Sequence, residues 1–193
     1  MKKSKLFSLF LISFFIFSCG EELTIPKPPT YLRLDLPEHS YTKFTEKSGL
    51  YSFELAKIYK VKDVYDQDKK LTFNKDIDFG PLNGVMFLSY IQMEKPLSDY
   101  INYAINKVDE HKIKASAIED NLIIRSEDKV YGTFFELQGD VASPFQFYLT
   151  DSVSRFVSGV VYLNKTPKYD SLKPSLEYLK QDLNHFVKTF QWK

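Results

Sequence analysis

The chain has 193 residues and a formal charge of +1 at pH 7, which excludes nucleic-acid binding through a broad basic surface. Hydrophobic residues make up 44% and aromatic residues 16%, which excludes intrinsic disorder and favours β-rich packing. A single cysteine excludes an intramolecular disulfide, and seven glycines leave little for a glycine-lined nucleotide fold.

The N-terminal residues read as a targeting signal. Lys2, Lys3 and Lys5 form a basic start, and the apolar run Leu6 to Ser18 follows. A membrane-spanning helix needs about 20 apolar residues, so residues 1–18 are expected to be a cleaved secretory signal peptide. The run ends in Ile16-Phe17-Ser18-Cys19-Gly20, which resembles a bacterial lipobox in a looser form, because Phe17 is bulky. The chemistry of such a site needs a thiol at the cleavage point. The Cys19 sulfur takes a diacylglycerol, the signal is cut before it, and the new amine can be acylated. Each buried CH₂ contributes about 0.8 kcal/mol, so two or three acyl chains make release negligible. Residues 19–30 are then a lipidated cysteine and a proline-rich tether, with Pro26, Pro28 and Pro29 favouring extended chain. At ~3.1 Å per residue, residues 20–30 reach roughly 34 Å. Loss of three lysines with the signal leaves a mature charge of about −2, so the lipid and not a basic surface is expected to hold the membrane. The expected location is the cell envelope, lipid-anchored to a membrane on its periplasmic face.

Residues 31–193 are expected to form a single α+β domain. Leucines alternate in Tyr31–Leu36, which predicts a half-buried strand stopped by Pro37. Tyr51–Leu55 alternates likewise, Ile58–Tyr65 is a further strand, and Asp66–Lys70 is a charged turn. Leu71-Thr72-Phe73 predicts a short paired strand. Val85–Ile91 is almost continuously apolar and predicts a central strand covered on both faces. Pro96 opens a helix whose Leu97, Tyr100, Ile101, Ala104, Ile105 and Val108 share one stripe. Strands are predicted at Asn121–Ser126, Val130–Leu137, Phe145–Thr150 and Phe156–Leu163, with Asp151-Ser152 in a hairpin connection. A last helix starts near Asp170 or Ser171 and carries Leu172, Leu176, Leu179, Leu183, Phe186, Val187 and Phe190 on one stripe. Such a stripe must lie on a sheet. The fold class expected is α+β: a mostly antiparallel β-sheet with two main helices packed on it, an element order similar to the Mog1/PsbP-like sandwich.

Catalytic patterns are weak. His39, His111 and His185 are too far apart in sequence for a helical zinc pair. His39 is expected in a solvated turn and His185 on a helix face. Asp78-Phe79-Gly80 lacks the other kinase motifs. Asn74, Asp76 and Asp78 begin like a calcium loop, but Phe79 and Val85 stand where glycine and glutamate are required. Thr150-Asp151-Ser152 lacks the glycine of an aspartic-protease site, and their side chains suit bonding to turn backbone. The chain is therefore expected not to be an enzyme, and to need no cofactor and no metal. Tyr31, Tyr41, Tyr51, Tyr59, Tyr65, Tyr131, Tyr148, Tyr162 and Tyr169 are candidates for an aromatic interaction surface.

Several blocks taken together carry a resemblance. They are Val141–Ser152, Phe156–Asn164, Pro167–Leu172 running on to Phe190–Lys193, Pro28–Pro37, and His111–Ala115, with Cys19 ahead of them. In this combination the chain resembles the GldD gliding-motility lipoprotein family of Bacteroidota. Ser158 stands where that family usually has a basic residue, and the stretch 49–84 lacks its cysteine, tryptophan and proline signals. The resemblance implies a membrane-anchored component of the gliding and type IX secretion apparatus, acting by protein–protein interaction with other envelope proteins. It supplies no catalytic residues. Candidate partner contacts are Ser143, Gln146, Tyr148, Thr150, Asp151 and Ser152, in the most specific block. The alternative is an envelope lipoprotein that binds a lipid or small molecule, since a phenylalanine-rich helix-on-sheet domain can enclose an apolar cavity.

Overall fold

The computed structural model describes residues 34–164 and 169–193, so the signal run, Cys19, the tether and Tyr31 lie outside the described residues. Five strands lead into the first helix: β1 (Tyr41–Thr45), β2 (Tyr51–Ala56), β3 (Lys60–Tyr65), β4 (Leu71–Asp78) and β5 (Gly84–Gln92), then α1 (Leu97–Asp109). Next come β6 (Ala115–Arg125), β7 (Val130–Gly139), β8 (Phe145–Thr150) and β9 (Arg155–Leu163). The chain ends in α2 (Tyr169–Thr189) and β10 (Gln191–Trp192). All pairings are antiparallel, and the fold is α+β. The strands divide into two sheets, β1-β2-β10 and β3-β4-β5-β9-β8-β7-β6.

Register decides which residues meet. Leu88 pairs with Gly159, Gly159 with Phe147 and Phe147 with Phe134, so these four form one row across the front of the large sheet. The neighbouring residues Ser89, Ser158, Tyr148 and Thr133 form a row on the back, because side chains alternate along each strand. The front row requires a glycine: a Cβ at position 159 would lie 2.3 Å from the Phe147 ring.

The helix α2 lies on the front with the small sheet beside it. Its stripe is buried as expected, with Leu176, Leu179, Leu183, Phe186, Val187 and Phe190 all in the core. Phe186 is the hinge of this packing, with ring centroids 4.3 Å from Phe53 and 5.5 Å from Phe147. Six such side chains contribute a gross burial term of order 10 kcal/mol. Helix ends leave carbonyls without partners; here Arg125 Nη1 donates to Val187 O at 2.9 Å and to Phe190 O at 2.8 Å. Helix α1 covers part of the back. It has weaker apolar contacts: Val108 is buried, while Ile105 and Tyr103 stay exposed.

Three expectations need correction. Leu34 to Ser40 is not a strand; Leu34 and Leu36 pack on the core while Tyr178 Oη donates to Pro37 O at 2.9 Å, so the segment runs beside α2. The pairing edge of β2 is taken instead by Tyr41–Thr45. Strand β5 is central, but its back face is only partly covered: Val85, Ser89 and Ile91 are half-buried and Phe87 is 43% exposed. Tyr51, Tyr59 and Tyr148 belong to the core and not to the surface, whereas Tyr65 is exposed.

Candidate functional site

The predicted contact residues occupy β8 and the turn after it. Strand β8 is buried along its whole length, because it sits between β7 and β9 with α2 in front and α1 behind. Ser143, Gln146, Tyr148, Thr150 and Asp151 are accordingly buried, and Ser152 alone of the six is exposed. Tyr148 stacks on Phe156 at 5.5 Å, and its hydroxyl accepts from Thr133 Oγ1 at 3.1 Å. Thr150 Oγ1 donates to Arg155 O and accepts from Ser152 N. The Gln146 Nε2 and Ser143 Oγ atoms are buried without a hydrogen-bond partner. Apart from Ser152, these residues shape the sheet and present no polar surface of their own.

Asp151 organises the turn. Its Oδ1 accepts from the backbone N–H of Val153, Ser154 and Arg155 at 2.8–2.9 Å, and its Oδ2 accepts from Arg155 Nε at 2.9 Å. Ser152 stands in the left-handed region at φ 64°, which lets the chain fold back over the carboxylate. Burial raises the Asp151 pKa, but the three amides and the guanidinium outweigh it and bring the carboxyl down to about 2. An ionised carboxylate with its acceptors taken has no capacity left as a general base at neutral pH. Arg155 extends the clamp to the C-terminus, donating to Lys193 O at 2.9 Å and lying 5.3 Å from the Trp192 ring centre.

A second cluster lies on α2 beside its buried stripe. Tyr178, Asp182 and His185 recur at helical spacing and so share one face. Asp182 is only 3% exposed. Its Oδ1 accepts from His39 Nδ1 at 2.7 Å and Tyr41 Oη at 3.0 Å, and its Oδ2 accepts from Tyr59 Oη at 2.5 Å. His39 is thus a partner of a buried carboxylate, and not the solvated turn residue expected. Rings stack alternately from the two segments: Tyr178 on His39 at 4.0 Å and Tyr41 on His185 at 3.6 Å. His185 Nε2 also bonds Glu54 at 2.8 Å. Burial and then the Asp182 hydrogen bond push Tyr41 up to about 12 and Tyr59 higher still. Both phenols therefore stay protonated as donors. The cluster is a clasp that fastens residues 39–41 to α2. Sequence reasoning missed it, although the 178/182/185 spacing beside the apolar stripe is a readable signal.

No group of three or more metal-ligating side chains occurs among the described residues. None of their helices is long and apolar enough to cross a membrane. On the back of the large sheet, Leu122 and Ile124 are 73% and 64% exposed on β6, an outer strand.

Residues 21–192 match the profile described as gliding motility lipoprotein GldD. The chain belongs to that family. The match runs through the middle third, where the sequence signals were thinnest, and ends at Trp192 in β10. No curated protein matches the chain significantly. Among solved structures it is similar to the Ran-binding protein Mog1p of Saccharomyces cerevisiae, with 8% identity, 80% of this chain and 96% of that chain covered, and a TM-score of 0.49. It is also similar to cyanobacterial PsbP (CyanoP) of Synechocystis sp. PCC 6803, with 10% identity, 86% and 100% covered, and a TM-score of 0.47. These figures concern shape alone, and the functional reading rests on the family and the residues.

Proposed function

We propose that this family member is a lipid-anchored, non-catalytic component of the gliding and type IX secretion apparatus, working by contact with other envelope proteins. Residues 1–18 are removed, Cys19 carries the lipid, and residues 19–30 are the tether of a single domain, 31–193. The membrane is bound through that lipid, on the periplasmic side. The observation that carries the protein-binding part is the exposed aliphatic pair Leu122 and Ile124 on the outer strand β6. An outer strand offers unpaired backbone groups, and exposed aliphatic side chains beside them favour a protein partner. The family's role in motility supports a partner within that machinery. The buried segment 143–151 supports the same surface from behind, since β8 holds β7, and β7 holds β6.

The test is photo-crosslinking in cells from position 120, which is exposed on the same face of β6 as Leu122 and Ile124, in the full-length lipoprotein. Covalent capture of a defined envelope protein, lost on Leu122→Asp with Ile124→Asp, is the expected result. Wild-type gliding and secretion in that double variant, with no captured protein, overturns the reading.

A further inference from the structure

Between α1 and the back of the large sheet lies a cavity of about 350 Å³, within the size range of small-molecule sites. Its floor is polar: Ser89, Ser158 and Gln146 stand on adjoining strands β5, β9 and β8 and face the same side. Its walls include the rings of Phe87, Tyr103 and Tyr162. Phe87 and Tyr162 approach to 5.7 Å between centroids, yet Phe87 and Tyr103 remain exposed. Lys107 at the rim is engaged by Glu110 at 2.8 and 3.1 Å, so that pair neutralises itself.

The decisive atom is Gln146 Nε2. Gln146 is 3% exposed, its Nε2 has no hydrogen-bond partner, and its side chain lines the cavity. Buried amides are almost always paired; this one lies under the cavity floor without a partner, and a half-turn about the last side-chain bond exchanges Nε2 with Oε1 and offers it to an acceptor from outside the chain. A bulky apolar core would have served as well with leucine at this position. The surrounding rings select the rest of the molecule, since flat apolar bodies stack or tilt against them.

We propose that this cavity binds a neutral, aromatic-bodied small molecule whose carbonyl oxygen accepts from Gln146 Nε2, with Ser158 beside it. The cavity lining includes neither Leu122 nor Ile124, so the proposal stands or falls independently of the protein-binding reading.

The test titrates the full chain in detergent micelles with 2-acetylnaphthalene and, separately, with 2-ethylnaphthalene, which has the same shape without the carbonyl. The readout is the NMR signal of the Gln146 side-chain amide, which partition into micelles does not move. The acetyl compound is expected to shift that signal and to bind about fivefold more tightly, the gain of one neutral hydrogen bond. In Gln146→Leu the preference falls to about onefold, while both compounds still bind and the melting temperature does not drop. Ala104→Trp, on the cavity side of α1, abolishes binding of both. A Gln146 signal unmoved at millimolar ligand, or a preference that survives Gln146→Leu, overturns the proposal. If Gln146→Leu fails to fold, undiminished shifts in Ala104→Trp overturn it instead.

Discussion

Replacing Asp151 by asparagine keeps the size of the side chain and removes its charge. In the native turn that carboxylate accepts three backbone amides and the Arg155 guanidinium, and it is 7% exposed. Holding the carboxyl at about 2 instead of 3.8 corresponds to about 2 kcal/mol in favour of the folded state at neutral pH. The folded-state value is the lower one, so this contribution is complete above the unfolded value and disappears as pH falls through the folded value. The window is therefore from about pH 4 down to about pH 2. In a domain of this size, about 2 kcal/mol amounts to roughly 4–8 °C in melting temperature. Urea denaturation of wild type and Asp151→Asn at pH 6, 4 and 2.5 reads the difference directly. The gap is expected to be about 2 kcal/mol at pH 6, nearly as large at pH 4, and below about 1 kcal/mol at pH 2.5. A gap of equal size at pH 2.5 and pH 6 refutes the electrostatic account and leaves only a packing role for Asp151.

Four further outcomes are expected. Gly159→Ala forces a Cβ to 2.3 Å from the Phe147 ring and should cost about 1–3 kcal/mol in chemical denaturation, as overpacking does. Asp182→Ala strands the buried Tyr59 hydroxyl and frees His39 and Tyr41; a loss of about 3 kcal/mol and faster proteolysis within residues 34–40 should follow. Leu122→Asp with Ile124→Asp alters exposed positions, so stability should stay within about 0.5 kcal/mol while crosslinking from β6 is lost. Cys19→Ser should yield an intact mass that still includes residues 1–18 and carries no lipid; normal processing of that variant contradicts the proposed anchor.

The parts of the fold that were legible are those in which local pattern and burial agree. Phe145–Thr150 is apolar or aromatic at alternate positions and bounded by Pro144 and Asp151, and the strand has those bounds. The α2 stripe was equally plain, because a helix that buries one face repeats its apolar residues at helical spacing. In the stretch Tyr31–Leu36, of which residues 34–36 are described, the pattern misled because alternating leucines satisfy any half-buried extended segment. Here Leu34 and Leu36 meet the core without a pairing partner. Val85–Ile91 misled because exposure of Phe87 depends on how closely α1 approaches the back of the sheet, where a cavity separates them, and that is a property of distant residues. The division into two sheets was out of reach for the same reason: β10 is two residues long and pairs with β2, some 140 positions earlier. Functional residues followed this rule closely. Asp151 was readable as a turn former from its neighbours, whereas the Asp182 clasp joins residues separated by 123 to 143 positions.

The clasp gives the proposed anchor a mechanical consequence. A load applied through the tether reaches the described domain at Leu34 and meets, in order, the Tyr178–Pro37 bond, His39 and Tyr41 on Asp182, and then the five pairs joining β1 to β2. The first of these contacts lie on α2, which is bound to the front of the large sheet by its buried stripe. Load therefore enters the core through α2 near Tyr178 and Asp182, whereas the edge strand β6 meets that helix at its other end, where Arg125 holds the Val187 and Phe190 carbonyls. The exposed Leu122 and Ile124 belong to that edge strand, and their register with Thr133 and Tyr131 is independent of β1. A partner held there would keep its footing while the tether is under tension. On this reasoning, weakening the clasp with Asp182→Ala should impair motility under load before it impairs capture of the partner, and equal loss of both would place the partner's contact on the α2 side instead.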